Sequence, residues 1–196
     1  MEQKLSFCTP EILIRNMRSP LPYGLTVIQG PHAASGLLLQ ICAKLALRGP
    51  VRILDCGNRS DMYQVARELR PLTRDPATAM QRIHLSRAFT CYQAEALLGQ
   101  NRGQSQTPIL IFDLLATYLD ESVSKQEAER LFDDTLDHLQ KMSRKNPVLV
   151  GIRPLPAIAL DRSNLPLRLQ KAADESFQLM EISQKAETND DQLSLF

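Results

Sequence analysis

The chain has 196 residues, 43% of them hydrophobic, with 23 Lys and Arg against 22 Asp and Glu. That length and apolar content fit one domain of ordinary size with a sizeable core. A formal net charge of +1 excludes capture of nucleic acid or anionic membrane by bulk charge, so any contact with DNA must be local. In chain order, a short apolar run over 25–28 predicts a strand that ends in Gly30-Pro31. Residues 34–48 then place Leu37, Leu38, Ile41, Leu45 and Leu47 at helical spacing before Gly49-Pro50. VRILDCGN (51–58) reads as a second strand with Asp55 at its carboxyl end, and Ser60 or Asp61 can cap a helix running to about Arg70. RPLTRDPATAM (70–80) reads as loop.

RIHLSRAF (82–89) predicts a third strand and YQAEALLG (92–99) a helix, followed by the polar, turn-rich NRGQSQT (101–107). PILIFD (108–113) has the pattern of a strand buried on both faces. Residues 122–143 put Ala128, Leu131, Phe132, Leu136 and Leu139 on one face and charges on the other, which predicts an amphipathic helix. PVLVGIRP (147–154) and SFQLMEI (176–182) read as the last strands. Strands alternating with helices imply an α/β fold with a mainly parallel sheet flanked by helices. From Ser183 the composition changes: SQKAETNDD lacks large apolar residues and is expected to be disordered. The expected organisation is a domain over 1–182 and a tail over 183–196.

Cys8, Cys42, Cys56 and Cys91 show no CxxC spacing, and neither a signal peptide nor an apolar run of about 20 residues is evident. The expectation is a reduced, soluble protein of the cytoplasm, associated with the nucleoid if it works on DNA, with no membrane partner. His32, His84 and His138 are too scattered to suggest a metal site or a catalytic triad, and no metal is expected.

The stretch QGPHAASGLLL raises the question of nucleotide binding. A phosphate loop, GxxxxGK[ST], cradles phosphates on backbone N–H groups, pairs the outer ones with lysine and holds magnesium on the hydroxyl. Counting from Gly30 puts Ser35, Gly36 and Leu37 at the last three positions, whereas anchoring on Ser35-Gly36 puts Leu37 and Leu38 at the lysine and hydroxyl positions. Neither register supplies a cation, and Lys44 lies two turns further along the helix. The missing charge-assisted bond is worth about 1.5–3 kcal/mol. A helix N-terminus still attracts anions weakly, so two readings stand: a ligand-free strand-to-helix turn, and a degenerate nucleotide site of Gly30, Ser35, Gly36 and Asp113.

TVIQGPHAASG, LLLQICAKLALRG, VRILDCGN, RIHLSRAFTCYQAEALL and ILIFDLLATYLDE follow one another in an order that resembles the RecA-like recombinase superfamily over about 20–182. The resemblance implies a RecA-like P-loop core, with SRAFTCYQ as the third strand and following helix and ILIFD as the Walker B strand. Asp113 would then be the magnesium-side carboxylate; alternatively it caps or hydrogen-bonds the next loop. Active members end the second strand in D-x-E-G, whose glutamate polarises the attacking water. Here Asp55-Cys56-Gly57-Asn58 puts glycine there, and glycine has no base to offer. Asp120, Glu121, Asp133, Asp134 and Asp137 read as solvated helix residues.

QLSLF, Gln192, Leu193, Ser194, Leu195 and Phe196, looks like the pentapeptide by which bacterial polymerases and repair factors dock onto the sliding clamp. An extended peptide would offer the glutamine amide to a polar subsite and its apolar side chains to a cleft, with affinity concentrated in few anchors. The alternative is a tail that folds back onto its own domain. In the family the loop after PVLVGIRP faces DNA, and here it carries Arg153, Arg162, Arg168 and Lys171 as possible phosphate contacts, while Leu155, Ile158, Leu160, Leu165 and Leu167 could equally meet a protein.

These features together predict a non-catalytic RecA-like accessory protein of bacterial DNA repair or replication, with the sliding clamp and a second repair or recombination protein as partners and no cofactor. The competing expectation is an ATPase that binds ATP and magnesium through an atypical loop completed by a neighbouring subunit.

Overall fold

The computed structural model describes residues 6–16, 21–100, 106–156 and 161–180. Along the chain run β1 (Ser6–Cys8), α1 (Pro10–Asn16), β2 (Gly24–Gln29), a 3-10 turn (Pro31–Ala34), α2 (Ser35–Ala46), β3 (Val51–Asp55), α3 (Met62–Leu69), α4 (Pro76–Gln81) and β4 (Ile83–Arg87). Then follow α5 (Cys91–Gln100), β5 (Ile109–Phe112), a second 3-10 turn (Leu114–Thr117), α6 (Lys125–Ser143), β6 (Pro147–Ile152), α7 (Asn164–Ala172) and β7 (Glu175–Leu179).

The strands form one seven-stranded sheet in the order β1-β7-β2-β6-β5-β3-β4, and every pairing is parallel. This is an α/β fold with helices on both faces of the sheet. Alternation along the central strands divides their side chains between two cores. Ile109, Ile111, Val148 and Val150 pack with α5, α6 and α7, whereas Leu110, Phe112 and Leu149 pack with α2 and α3. A sheet covered on both faces has little use for polar residues in its central strands, which accounts for the unbroken apolar runs of β5 and β6. No helix among the described residues is long and apolar enough to cross a membrane.

Four elements depart from expectation. The segment read as loop over 70–80 contains α4, which starts where Asp75 accepts the Thr78 N–H and Pro76 takes the first turn. The segment after β6 contains α7. β1 and α1 add an edge strand and a helix before the first predicted strand, with β1 pairing β7. The long helix begins at Lys125 because the Ser124 hydroxyl caps it by accepting the Glu127 N–H. Asp61, one of the two expected caps, does cap α3 by accepting from the Tyr63 and Gln64 N–H groups.

Candidate functional site at the carboxyl edge of the sheet

Because all strands run the same way, the loops after β2, β3, β4, β5 and β6 gather at one edge, where open α/β sheets hold their ligands. The turn between β2 and α2 comes first. Gly30 is extended, and its N–H donates to the Ile152 carbonyl at 3.0 Å. His32, Ala33 and Ala34 then adopt positive φ values of 50°, 58° and 54°, a left-handed path that costs a side-chain-bearing residue roughly 1–2 kcal/mol. Packing holds it there. Ala33 and Ala34 are buried, and the Ala33 carbonyl comes so close to Gly151 of β6 that a Cβ on that glycine would lie 2.3 Å from its oxygen.

A phosphate cradle needs its N–H groups turned toward a hollow. Here the Ala33 N–H donates to the Gly30 carbonyl and the Ser35 N–H to the His32 carbonyl. Leu37 and Leu38, at the lysine and hydroxyl positions in the register anchored on Ser35-Gly36, are core residues of α2, 4% and 0% exposed. Gly36 is exposed and a Cβ there would touch nothing within 4 Å, so folding does not require the glycine.

Asp55, at the end of β3, is buried and fully engaged. One oxygen accepts from the Gly57 and Arg59 N–H groups at 3.3 and 2.9 Å, the other from the Ser60 N–H at 3.0 Å and from the Ser60 hydroxyl. Arg87 Nε lies 3.7 Å away. The carboxylate therefore organises the loop 55–60.

Asp113 follows β5 with φ 50° and is buried completely. Its Oδ2 meets Arg59 Nε at 3.4 Å and Arg153 Nε at 3.6 Å, and its Oδ1 has no hydrogen-bond partner among the described residues. The side chain does not cap the following 3-10 turn, so the loop-capping alternative is corrected: its partners are two arginines from other loops. Burial pushes its carboxyl pKa up, against the pull of Arg153 and Arg59. Gly57, the glycine at the D-x-E-G glutamate position, is needed for packing, since a Cβ would fall 2.5 Å from the Asp113 Cβ. Cys56 is buried, and burial raises its thiol pKa far above the usual range, with the charges of Asp55 and Asp113 adding to the rise.

The four basic residues named for DNA separate. Arg153 joins Asp113. Arg162 is corrected outright: it is buried, and its guanidinium donates to the carbonyls of Tyr118 at 2.6 Å, Asp120 at 2.9 Å and Val123, pinning the segment before α6. Arg168 lies over the Phe132 ring at 5.5 Å and pairs with Asp133. Lys171, in the last turn of α7, is exposed.

Arg59 and Arg87 carry no motif in the sequence, yet the fold sets them beside Asp113 and Asp55. Their only sequence signal is position, just beyond or at the carboxyl end of a predicted strand. Two cavities, about 320 and 1010 Å³, share Leu21 and Pro22 in their walls and take none of the residues just described. Among the described residues no group of His, Cys, Asp or Glu side chains is placed to hold a metal ion. His138 instead meets Glu95 at 2.9 Å. Gln192, Leu193, Ser194, Leu195 and Phe196 lie outside the described residues. Comparison of the chain with protein-family models finds no match, and comparison with curated proteins finds no matching protein.

Proposed function

We propose that this chain is a RecA-like accessory protein of bacterial DNA repair or replication that has kept the nucleotide-binding scaffold without its chemistry, and that docks on the sliding clamp through QLSLF. One observation at the folded core carries the reading. The carboxylate that would face magnesium, Asp113, is engaged by Arg59 and Arg153. A metal ion would meet a buried carboxylate that already has two guanidinium groups beside one of its oxygens, and no lysine stands ready in the turn to hold the phosphates.

The RecA-like reading draws support from placement. β2, which leads into the turn, and β5, which leads into Asp113, are separated by β6 alone, about 10 Å at ordinary strand spacing. That distance suits two walls of a former triphosphate site. The clamp reading rests on the pentapeptide and its polar lead-in. Its test is retention of the full chain on immobilised bacterial sliding clamp. Wild type is expected to be retained and the Leu195→Ala, Phe196→Ala variant to be lost, since deleting central apolar anchors typically costs more than about 2 kcal/mol. Equal retention of both removes the docking role.

A further inference from the structure

The two cavities that lie apart from the carboxyl edge form one trough. The smaller, about 320 Å³, runs between α1 and one face of β2 and β7, with Cys8, Leu13, Ile28 and Phe177 in its wall. The larger, about 1010 Å³, continues from the shared Leu21 and Pro22 to the end of α2 and the prolines that lead into β3, β5 and β6. Two of the wall residues, Ile12 and Tyr23, are large apolar side chains left 51% and 54% exposed. Hollows of this size with mainly apolar walls and a few polar groups are the kind that take ligands.

Charge distinguishes the two ends. Among the described residues that line the larger cavity, Lys44 and Arg48 carry charge and none is acidic. They stand one turn apart at the end of α2, exposed, and no hydrogen bond or ion pair holds either side chain among the described residues. The acids are at the other end, where Glu175 lines the smaller cavity and Asp174 accepts the Leu25 N–H at 2.7 Å. Cations suit a helix C-terminus in any case; their place beside an apolar hollow is what selects an occupant.

The occupant that matches is the chain's own segment over 187–196. ETNDDQLSLF sets Glu187, Asp190 and Asp191 just before Leu193, Leu195 and Phe196, acids beside large apolar side chains, the complement of cations beside an apolar wall. Such side chains are better covered than left in water. Their starting point also fits. The Met180 N–H donates to the Cys8 carbonyl at 3.2 Å, so the last described residue sits beside the wall of the smaller cavity. The residues from 181 to Gln192 can span about 40 Å, whereas a strand of the length of β2 covers about 20 Å. That reach includes the whole trough.

We infer that, when no clamp is bound, residues 187–196 seat in this trough, their acids against Lys44 and Arg48 and the apolar side chains of QLSLF against its walls. The trough and the clamp then compete for the same side chains, a consequence that rests on the proposed docking role.

The chain contains no tryptophan, so Phe196→Trp in the full chain gives an emission that reports on this position alone. Emission to the blue of the free 183–196 peptide with the same substitution is expected. Acrylamide access should be about a fifth of the peptide's if four molecules in about five are docked, at any protein concentration. Lys44→Glu with Arg48→Glu, both at exposed positions, should return emission and quenching to the peptide's values while a cooperative urea transition is retained. On immobilised clamp the same charge reversal, in the chain that keeps Phe196, should tighten binding about fivefold, because docking no longer removes competent molecules. Absence of clamp binding by the free peptide would remove the docking role alone, and the fluorescence would still decide the trough. An emission as red and as quenchable as the peptide's would overturn the inference. So would protection that the charge reversal leaves unchanged, or protection that rises with concentration, the sign of a second copy's segment in the trough.

Discussion

Asp113 carries a buried charge whose surroundings favour the proton: desolvation outweighs two arginine neighbours. An acid whose folded pKa is raised binds its proton more tightly in the native state than in the unfolded chain. Its contribution to stability is therefore most favourable below the unfolded value, near 3.8, and is lost as pH rises through the folded pKa. In urea unfolding across that range, wild type should lose stability relative to Asp113→Asn with rising pH. A wild type that gains on the variant would mean that the arginine pairing outweighs burial. The sequence makes Asp113 visible as a strand-end carboxylate, yet its partners come from 54 and 40 residues away and leave no local trace. Arg162 teaches the same lesson in reverse. In a basic loop it reads like its neighbours Arg153 and Arg168, and only the three carbonyls it gathers distinguish a buried clamp from a surface charge.

Among the elements, those of strong and sustained pattern were legible: β2, α2, β3, β5, α6 and β6 all follow from apolar runs or helical spacing. Short ones were not. β1 has three residues and α4 six, too few for a period to show, and α4 announces itself only through Asp75-Pro76. α7 carries Pro166, which reads as a breaker but sits in the first turn, where its missing N–H has no intrahelical role. The β2–α2 connection was legible as a strand-to-helix turn without a cation, whereas its left-handed path was not, because Ala33 and Ala34 have no intrinsic preference for positive φ. Packing imposes it, and two substitutions separate packing from ligand binding. Gly151→Ala, which drives a methyl toward the Ala33 carbonyl and the Leu38 side chain, should cost about 2 kcal/mol or more in chemical denaturation. Gly36→Ala, which meets open space at the start of α2, should be neutral or stabilise by up to about 1 kcal/mol. Comparable losses at both positions would contradict a turn built on contact with β6.

At the scale of the molecule, the all-parallel sheet brings the β2–α2 turn, Asp55, Asp113 and three arginines to one edge, an arrangement suited to phosphate chemistry in general. What distinguishes this chain is the state of that edge: the Ala33 and Ser35 N–H groups bonded to the turn's own carbonyls, core leucines at the start of α2, and two arginines on the buried Asp113 carboxylate. The account turns on that state, and titration of a fluorescent ATP analogue with magnesium into the full chain tests it most directly. The prediction is no saturable binding through the micromolar range, with Asp113→Asn behaving as wild type. Saturation at micromolar analogue, abolished by Asp113→Asn, would contradict it and restore the nucleotide to the site.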